Sequence, residues 1–149
     1  MEALIVTNQI VINAPAWRVW EVLTKPEYTK KFMFGCAAIS DWKQGSTLEW
    51  KGNISGKDGV VVKGKIIEID PGKFLAYTTF DPNSGMEDTP YNYLTVTERL
   101  EEQDGKTTLS ITQGDFSAVQ EGQRRYAEGA KGWETVLPKI KELAEGKVN

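Results

Sequence analysis

Between Glu121 and Glu145 the chain carries one long apolar stripe: Tyr126, Ala130, Trp133, Leu137, Ile140 and Ala144. The steps alternate between four and three residues, which keeps one face of a 3.6-residue helix on a single apolar surface. At about 1.5 Å per residue this helix is roughly 36 Å long, enough to cross a small domain. Pro138 removes one helical hydrogen bond and predicts a kink or bend near Glu134.

At the other end, Leu4, Val6, Ile10 and Ile12 alternate with Thr7, Gln9 and Asn13. That pattern predicts a strand over Leu4–Asn13 with one buried face. Ile5 and Val11 break it, so partial cover of the outer face is expected. Asn13-Ala14-Pro15 offers an N-cap and a first-turn proline. The short helix that follows should bury Val19, Trp20 and Leu23. Lys25-Pro26 ends it, because the residue before proline avoids helical geometry. A second short helix, Pro26 to about Phe34, sets Tyr28 and Phe32 one turn apart.

The middle of the chain alternates with turn punctuation. Strands are expected at Ala38–Trp42, Thr47–Ile54, Gly59–Asp70, Phe74–Phe80, Tyr91–Leu100 and Thr107–Gln113. The separators are Gln44-Gly45, Gly56-Lys57-Asp58-Gly59, Asp70-Pro71-Gly72, Asp81-Pro82-Asn83-Ser84-Gly85 and Asp104-Gly105. Short separators mean hairpins, hence an antiparallel meander. With no linker, repeat or composition break, residues 1–149 are expected to form one α+β domain. A long helix across a curved sheet can leave a gap, and a gap is a binding site.

Composition narrows the partners. A chain of 149 residues with 40% hydrophobic and 26% charged residues can build its own core. The net charge of −3 disfavours nucleic acid and anionic membranes. Only Arg18, Arg99, Arg124 and Arg125 are arginines, and no basic run exceeds two. No apolar run approaches the roughly 18 residues of a membrane span, so no membrane insertion is expected. Met1-Glu2-Ala3-Leu4 lacks a basic region before an apolar stretch, so no signal peptide is expected. Cys36 is alone, which points to a reducing, cytoplasmic setting.

Catalytic material is scarce. The chain has no histidine, which excludes a Ser-His-Asp triad, a Cys-His dyad, a His-ligated zinc and a His general base. No metal or cofactor is expected. Gly59-Val-Val-Val-Lys-Gly64-Lys65 imitates a phosphate loop, but Ile66 stands where Ser or Thr must be, and its β-branched residues belong in a strand. Asn53-Ile54-Ser55 matches a glycosylation sequon by incident. Among the carboxylates, Glu87-Asp88 and Glu101-Glu102 are expected as solvated loop charges. Glu68 and Glu98 lie on strands and share faces with apolar residues. The rarity of buried Glu favours placing them at a rim, in water.

The aromatics are the better functional lead: five Trp, five Tyr and five Phe make up 10% of the chain. Core packing accounts for Trp20, Phe32 and Trp133. Several Tyr on one concave sheet suggest a partly wet cavity. Gly129 and Gly132 cost helix stability and suggest close backbone approach. The candidate ligand-binding residues are Trp50, Tyr77, Phe80, Tyr93, Phe116, Tyr126, Ala130, Trp133 and Leu137.

The run Ile10-Val-Ile-Asn-Ala-Pro-Ala-Trp-Arg-Val-Trp20-Glu-Val-Leu-Thr-Lys-Pro26-Glu resembles the opening of START-like, helix-grip proteins. Gly64-Lys-Ile-Ile-Glu-Ile-Asp-Pro71-Gly-Lys-Phe-Leu75-Ala-Tyr77 is similar to a hairpin of the branch related to the C-terminal domain of the activator of Hsp90 ATPase. Gly132-Trp133, followed by Leu137 and Leu143, resembles that branch's C-terminal helix. The resemblance implies a curved antiparallel sheet of about six or seven strands gripping the long helix, with two short helices after the first strand and a pocket between sheet and helix. It supplies no catalytic residue. Three functions follow: binding of a small apolar or amphipathic ligand, which is favoured; interaction with a chaperone-type protein partner; and an enzyme using pocket Tyr and carboxylates, which is least supported.

Overall fold

The computed structural model describes residues 3–54 and 56–146, with the backbone alone at Ile54. Met1, Glu2 and the sequon's Ser55 lie outside these residues. The element order is β1 (Val6–Ile12), α1 (Ala16–Thr24), α2 (Pro26–Phe32), β2 (Ala37–Ser40), β3 (Thr47–Ile54), β4 (Lys57–Asp70), β5 (Phe74–Thr79), β6 (Leu94–Gln103), β7 (Lys106–Gly114) and α3 (Gly122–Ala144). Single 3-10 turns stand at Pro90–Asn92 and Phe116–Ala118. The first of these replaces the expected start of a strand at Tyr91, because Pro90 fixes a turn geometry there.

The seven strands form one antiparallel sheet in the order β1-β7-β6-β5-β4-β3-β2. It is a meander from β2 to β7, closed by β1 against β7 with Val6 opposite Gln113 and Ile12 opposite Thr107. Register shifts at Trp50/Lys51 and at Ile66/Glu68 bend the long strand β4. Gly64 lies just before the second shift. A Cβ there would lie 1.7 Å from Thr78 O, so only glycine lets β4 cross β5 so closely. The segment that imitates a phosphate loop is therefore strand.

The short helices pack Val19, Val22, Leu23 and Phe32 inward, whereas Trp20 is only half-buried. Asn13 does not cap α1: its N-cap is Pro15, without a side-chain bond. Glu102, exposed near the end of β6 rather than in a loop, instead accepts the Ala16 N–H at 2.6 Å. Ile5 and Val11 are exposed rather than covered.

α3 runs unbroken through Pro138 and buries Trp133, Val136, Leu137, Ile140, Leu143 and Ala144, with Lys131, Lys139 and Glu142 exposed. Its C-terminal end is tied down. Arg18 donates to Leu143 O at 3.0 Å, which also accepts the Gly146 N–H, and to Ala144 O at 3.3 Å. The Asn13 N–H donates to Glu145 at 2.8 Å. The helix makes its closest backbone approach to the sheet at β1 and packs on α1 and α2. Pinned there, its N-terminal half projects over the middle strands.

Candidate functional site

Between that half of α3 and the sheet lies a cavity of about 580 Å³, open to solvent on one side. Such a volume lies within the usual range for small-molecule sites. Sheet strands supply Trp50, Val61, Val62, Tyr77, Leu94 and Val96 to its wall. Met33, Phe34 and Cys36, between α2 and β2, line one side. The helix contributes Arg125, Gly129, Gly132, Trp133 and Val136, one face at steps of three and four.

That face is offset from the stripe seen in the sequence. Tyr126, Ala130 and Leu137 point elsewhere: Leu137 is core, Tyr126 packs edge-on to Phe116 at 5.7 Å, and Ala130 is half-buried against the core. Tyr93 is also off the wall. Its ring stacks on Phe80 at 5.0 Å and its hydroxyl donates to Asp88 at 2.8 Å. Trp50, Tyr77, Phe80, Phe116 and Trp133 do line the cavity.

The glycines explain the space. A Cβ on Gly132 would meet nothing within 4 Å, so this position faces empty volume and not the close backbone approach expected. Gly129 does make that approach, with Gln113 Oε1 and Phe116 Cζ each 3.1 Å from where its Cβ would stand. Gly-x-x-Gly on one helical face, aligned with Trp133, was the signal available in the sequence for a cavity wall.

Roughly a third of the lining residues are polar, among them Asn53, Thr79, Asp81, Ser84 and Gln113. Trp133 Nε1 donates to Gln113 Oε1 at 2.9 Å. At the mouth, Arg124 is paired with Glu121 at 2.7 Å and Glu128 at 3.1 Å. Glu98 corrects the rim reading: it is buried on the inner face of β6, opposite Leu75 and Ile111. Glu68 is exposed, as expected. The Tyr77 hydroxyl donates to Glu98 Oε2 across a long 3.5 Å. Burial pushes the Glu98 carboxyl up to about 8, only partly offset by Tyr77, so it is largely protonated at neutral pH. The same burial, with Glu98 beside it, raises Tyr77 well above the ordinary phenol range. Glu98 itself does not reach the cavity wall, so the pair is a buried polar pin behind Tyr77. Asp88 is no free loop charge either: Lys63 pairs with it at 2.5 Å.

Among the described residues, no group of three or more Cys, Asp or Glu is placed to hold a metal. No helix among them is long and apolar enough to cross a membrane.

A seven-stranded antiparallel sheet gripping a long C-terminal helix, with two short helices after the first strand, is the START-like helix-grip fold. The chain belongs to the family described as activator of Hsp90 ATPase homolog 1-like protein, whose model matches residues 13–145. It is similar to ChR145 from Cytophaga hutchinsonii at 36% identity and TM-score 0.79, covering 99% of this chain and 98% of that one. Two more distant structures share the fold. The Aha1 dimer from Colwellia psychrerythraea is 18% identical with TM-score 0.73, covering 97% of this chain and 98% of that one. CalU16 from Micromonospora echinospora is also 18% identical, with TM-score 0.72, covering 97% and 76%. No curated protein matches the chain at a significant level. Family and fold together support a ligand-binding or Aha1-like module in general.

Proposed function

We propose that the protein binds a small apolar or amphipathic molecule in the cavity between α3 and the sheet. The observation that carries this reading is the open space of about 580 Å³ facing Gly132, walled by Trp50, Tyr77, Phe80, Phe116 and Trp133. Large aromatic surface around a preformed void gives an apolar ligand contacts without first displacing core side chains. The test is titration with the neutral dye Nile red, following its emission and Trp quenching. Micromolar binding is expected for wild type, about −8 kcal/mol from apolar burial. Gly132→Leu, which puts a side chain into the void, should abolish binding yet leave the fold stable. A wild-type protein that neither brightens the dye nor loses Trp emission under native conditions sinks the reading.

Family membership favours a second reading, a module that acts on a chaperone-type partner. It is tested by adding the protein to a chaperone ATPase assay. Increased turnover that survives Gly132→Leu would separate this role from the cavity.

A further inference from the structure

Two donor groups on the cavity lining, Gln113 Nε2 on β7 and the Arg125 guanidinium on α3, have no carboxylate partner among the described residues. The Trp133 indole can only donate, so its bond to Gln113 fixes the amide with Oε1 towards the ring. Gln113 Nε2 then has no acceptor among the described residues. No fully buried side-chain nitrogen or oxygen lacks a partner, so Nε2 is open to the space that Gln113 lines.

Arg125 lies one helical turn before Gly129, on the cavity face and near the mouth. Its guanidinium is held by neutral groups only: Asn92 O at 3.1 Å, Gln120 O at 3.4 Å and Met86 Sδ at 3.7 Å. Among the described residues, no carboxylate stands within ion-pair distance of it. Partial burial and the neighbouring Arg124 charge disfavour its charged form and outweigh the opposing Asp81, Glu121 and Glu128 charges. Neither Glu128 nor Asp81 makes an ion-pair contact with Arg125. Glu128 is paired with Arg124 at 3.1 Å, and Asp81 Oδ1 accepts the Asn83 N–H at 2.8 Å.

We propose that the ligand is an anionic amphiphile, an apolar body with a carboxylate at one end, and that Arg125 holds the carboxylate at the cavity mouth. This rests on the cavity being a ligand site. A carboxylate only accepts and a guanidinium only donates, in matching planar geometry. The carbonyls of Asn92 and Gln120 hold the guanidinium in place beforehand, which lowers the entropy lost on binding. The cation's partial burial limits screening by salt. Gln113 Nε2, on β7, is a second donor for an oxygen further along the ligand.

The experiment is displacement of Nile red by three probes of one chain length: dodecanoate, dodecan-1-ol and dodecylammonium, each below its micelle concentration. Wild type should prefer dodecanoate over the alcohol by about tenfold or more, the worth of one charge-assisted hydrogen bond. Arg125→Met and Arg125→Gln should bring the two to equality. Arg124→Gln should keep the preference. Arg125→Gln retains a donor for Asn92 O, so it serves if Arg125→Met does not fold. The wild-type ranking of the three probes needs no variant. Equal displacement by acid and alcohol, a preference for dodecylammonium, or a preference that survives Arg125→Gln or vanishes in Arg124→Gln would each overturn the proposal. Dye binding with no preference for the acid overturns it alone, whereas absence of dye binding overturns the ligand-site reading with it.

Discussion

Glu98 is a carboxyl the fold carries at a cost. With its ordinary value near 4.5 in the unfolded chain and about 8 when folded, the unfolded chain releases the proton first. Between those values stability therefore falls as pH rises, and it levels off once the folded protein ionises too. The penalty at pH 7 is of order 3 kcal/mol relative to acid conditions below the unfolded value. Glu98→Gln keeps the shape and an acceptor for the Tyr77 hydroxyl without the ionisation. Urea midpoints should fall from pH 5 to 7 and by less from pH 7 to 9 in wild type, and stay nearly level in the variant; parallel curves would mean that Glu98 is solvated. Gly64 is the steric counterpart. Gly64→Ala drives a methyl into Thr78 O and should cost about 3 kcal/mol or more in the same titration. A loss below about 1 kcal/mol would show that β4 can shift away from β5. Neither effect was legible in the sequence, because burial on a strand face depends on which elements cover it. Alternation gives the face of Glu98 but not what lies opposite.

On the scale of elements, α3 joins two roles along one helix. Its Trp133, Leu137, Ile140 and Ala144 stripe is core, while the adjacent face bearing Arg125, Gly129 and Gly132 walls the cavity. The two glycines should respond oppositely to one substitution. Gly132→Ala meets open space and gains helix propensity, so it should stabilise by about 0.5–1 kcal/mol. Gly129→Ala gains the same propensity but presses on Gln113 and Phe116, so little or no net gain should appear in thermal unfolding. Equal gains at both positions would mean that Gly129 is not pressed against β7. Much of the architecture was readable in advance. Period-two runs placed β3 with its full bounds, and the 3.6 period placed α3 to within one residue at each end. The apolar stripe hid the cavity wall because hydrophobic periodicity marks what is packed. A void is marked by missing side chains, here Gly129 and Gly132, on the neighbouring face. Tyr93 and Tyr126 were singled out for a hydroxyl on an aromatic ring, and Ala130 and Leu137 for the helical stripe, neither of which separates core from cavity.

Over the whole molecule, the anchoring of α3 at one end and the open space at the other mean that binding and global stability are linked. The Arg18 bonds to Leu143 O and Ala144 O fix the C-terminal half, while the N-terminal half closes over β4, β5 and β6 with an unfilled volume beneath it. A molecule that enters this volume contacts several strands and the helix together, and those contacts vanish when the chain unfolds. At a free concentration of 100 times its Kd, such a ligand should stabilise the folded state by about 2.7 kcal/mol, which for a chain of this length raises Tm by roughly 5–10 °C. Cys36 supplies a local reading of the same event. It lines the cavity, is nearly buried, and burial pushes its thiol up, so thiolate-dependent labelling by a disulfide reagent should already be slow. Saturating Nile red should slow it further in wild type and leave it unchanged in Gly132→Leu, where the dye has no room. If Tm rises with dye while Cys36 labelling is unaffected, the dye sits elsewhere on the surface. If labelling slows and Tm does not move, the dye binds folded and unfolded chains alike, and the cavity is not the site that couples ligand to fold.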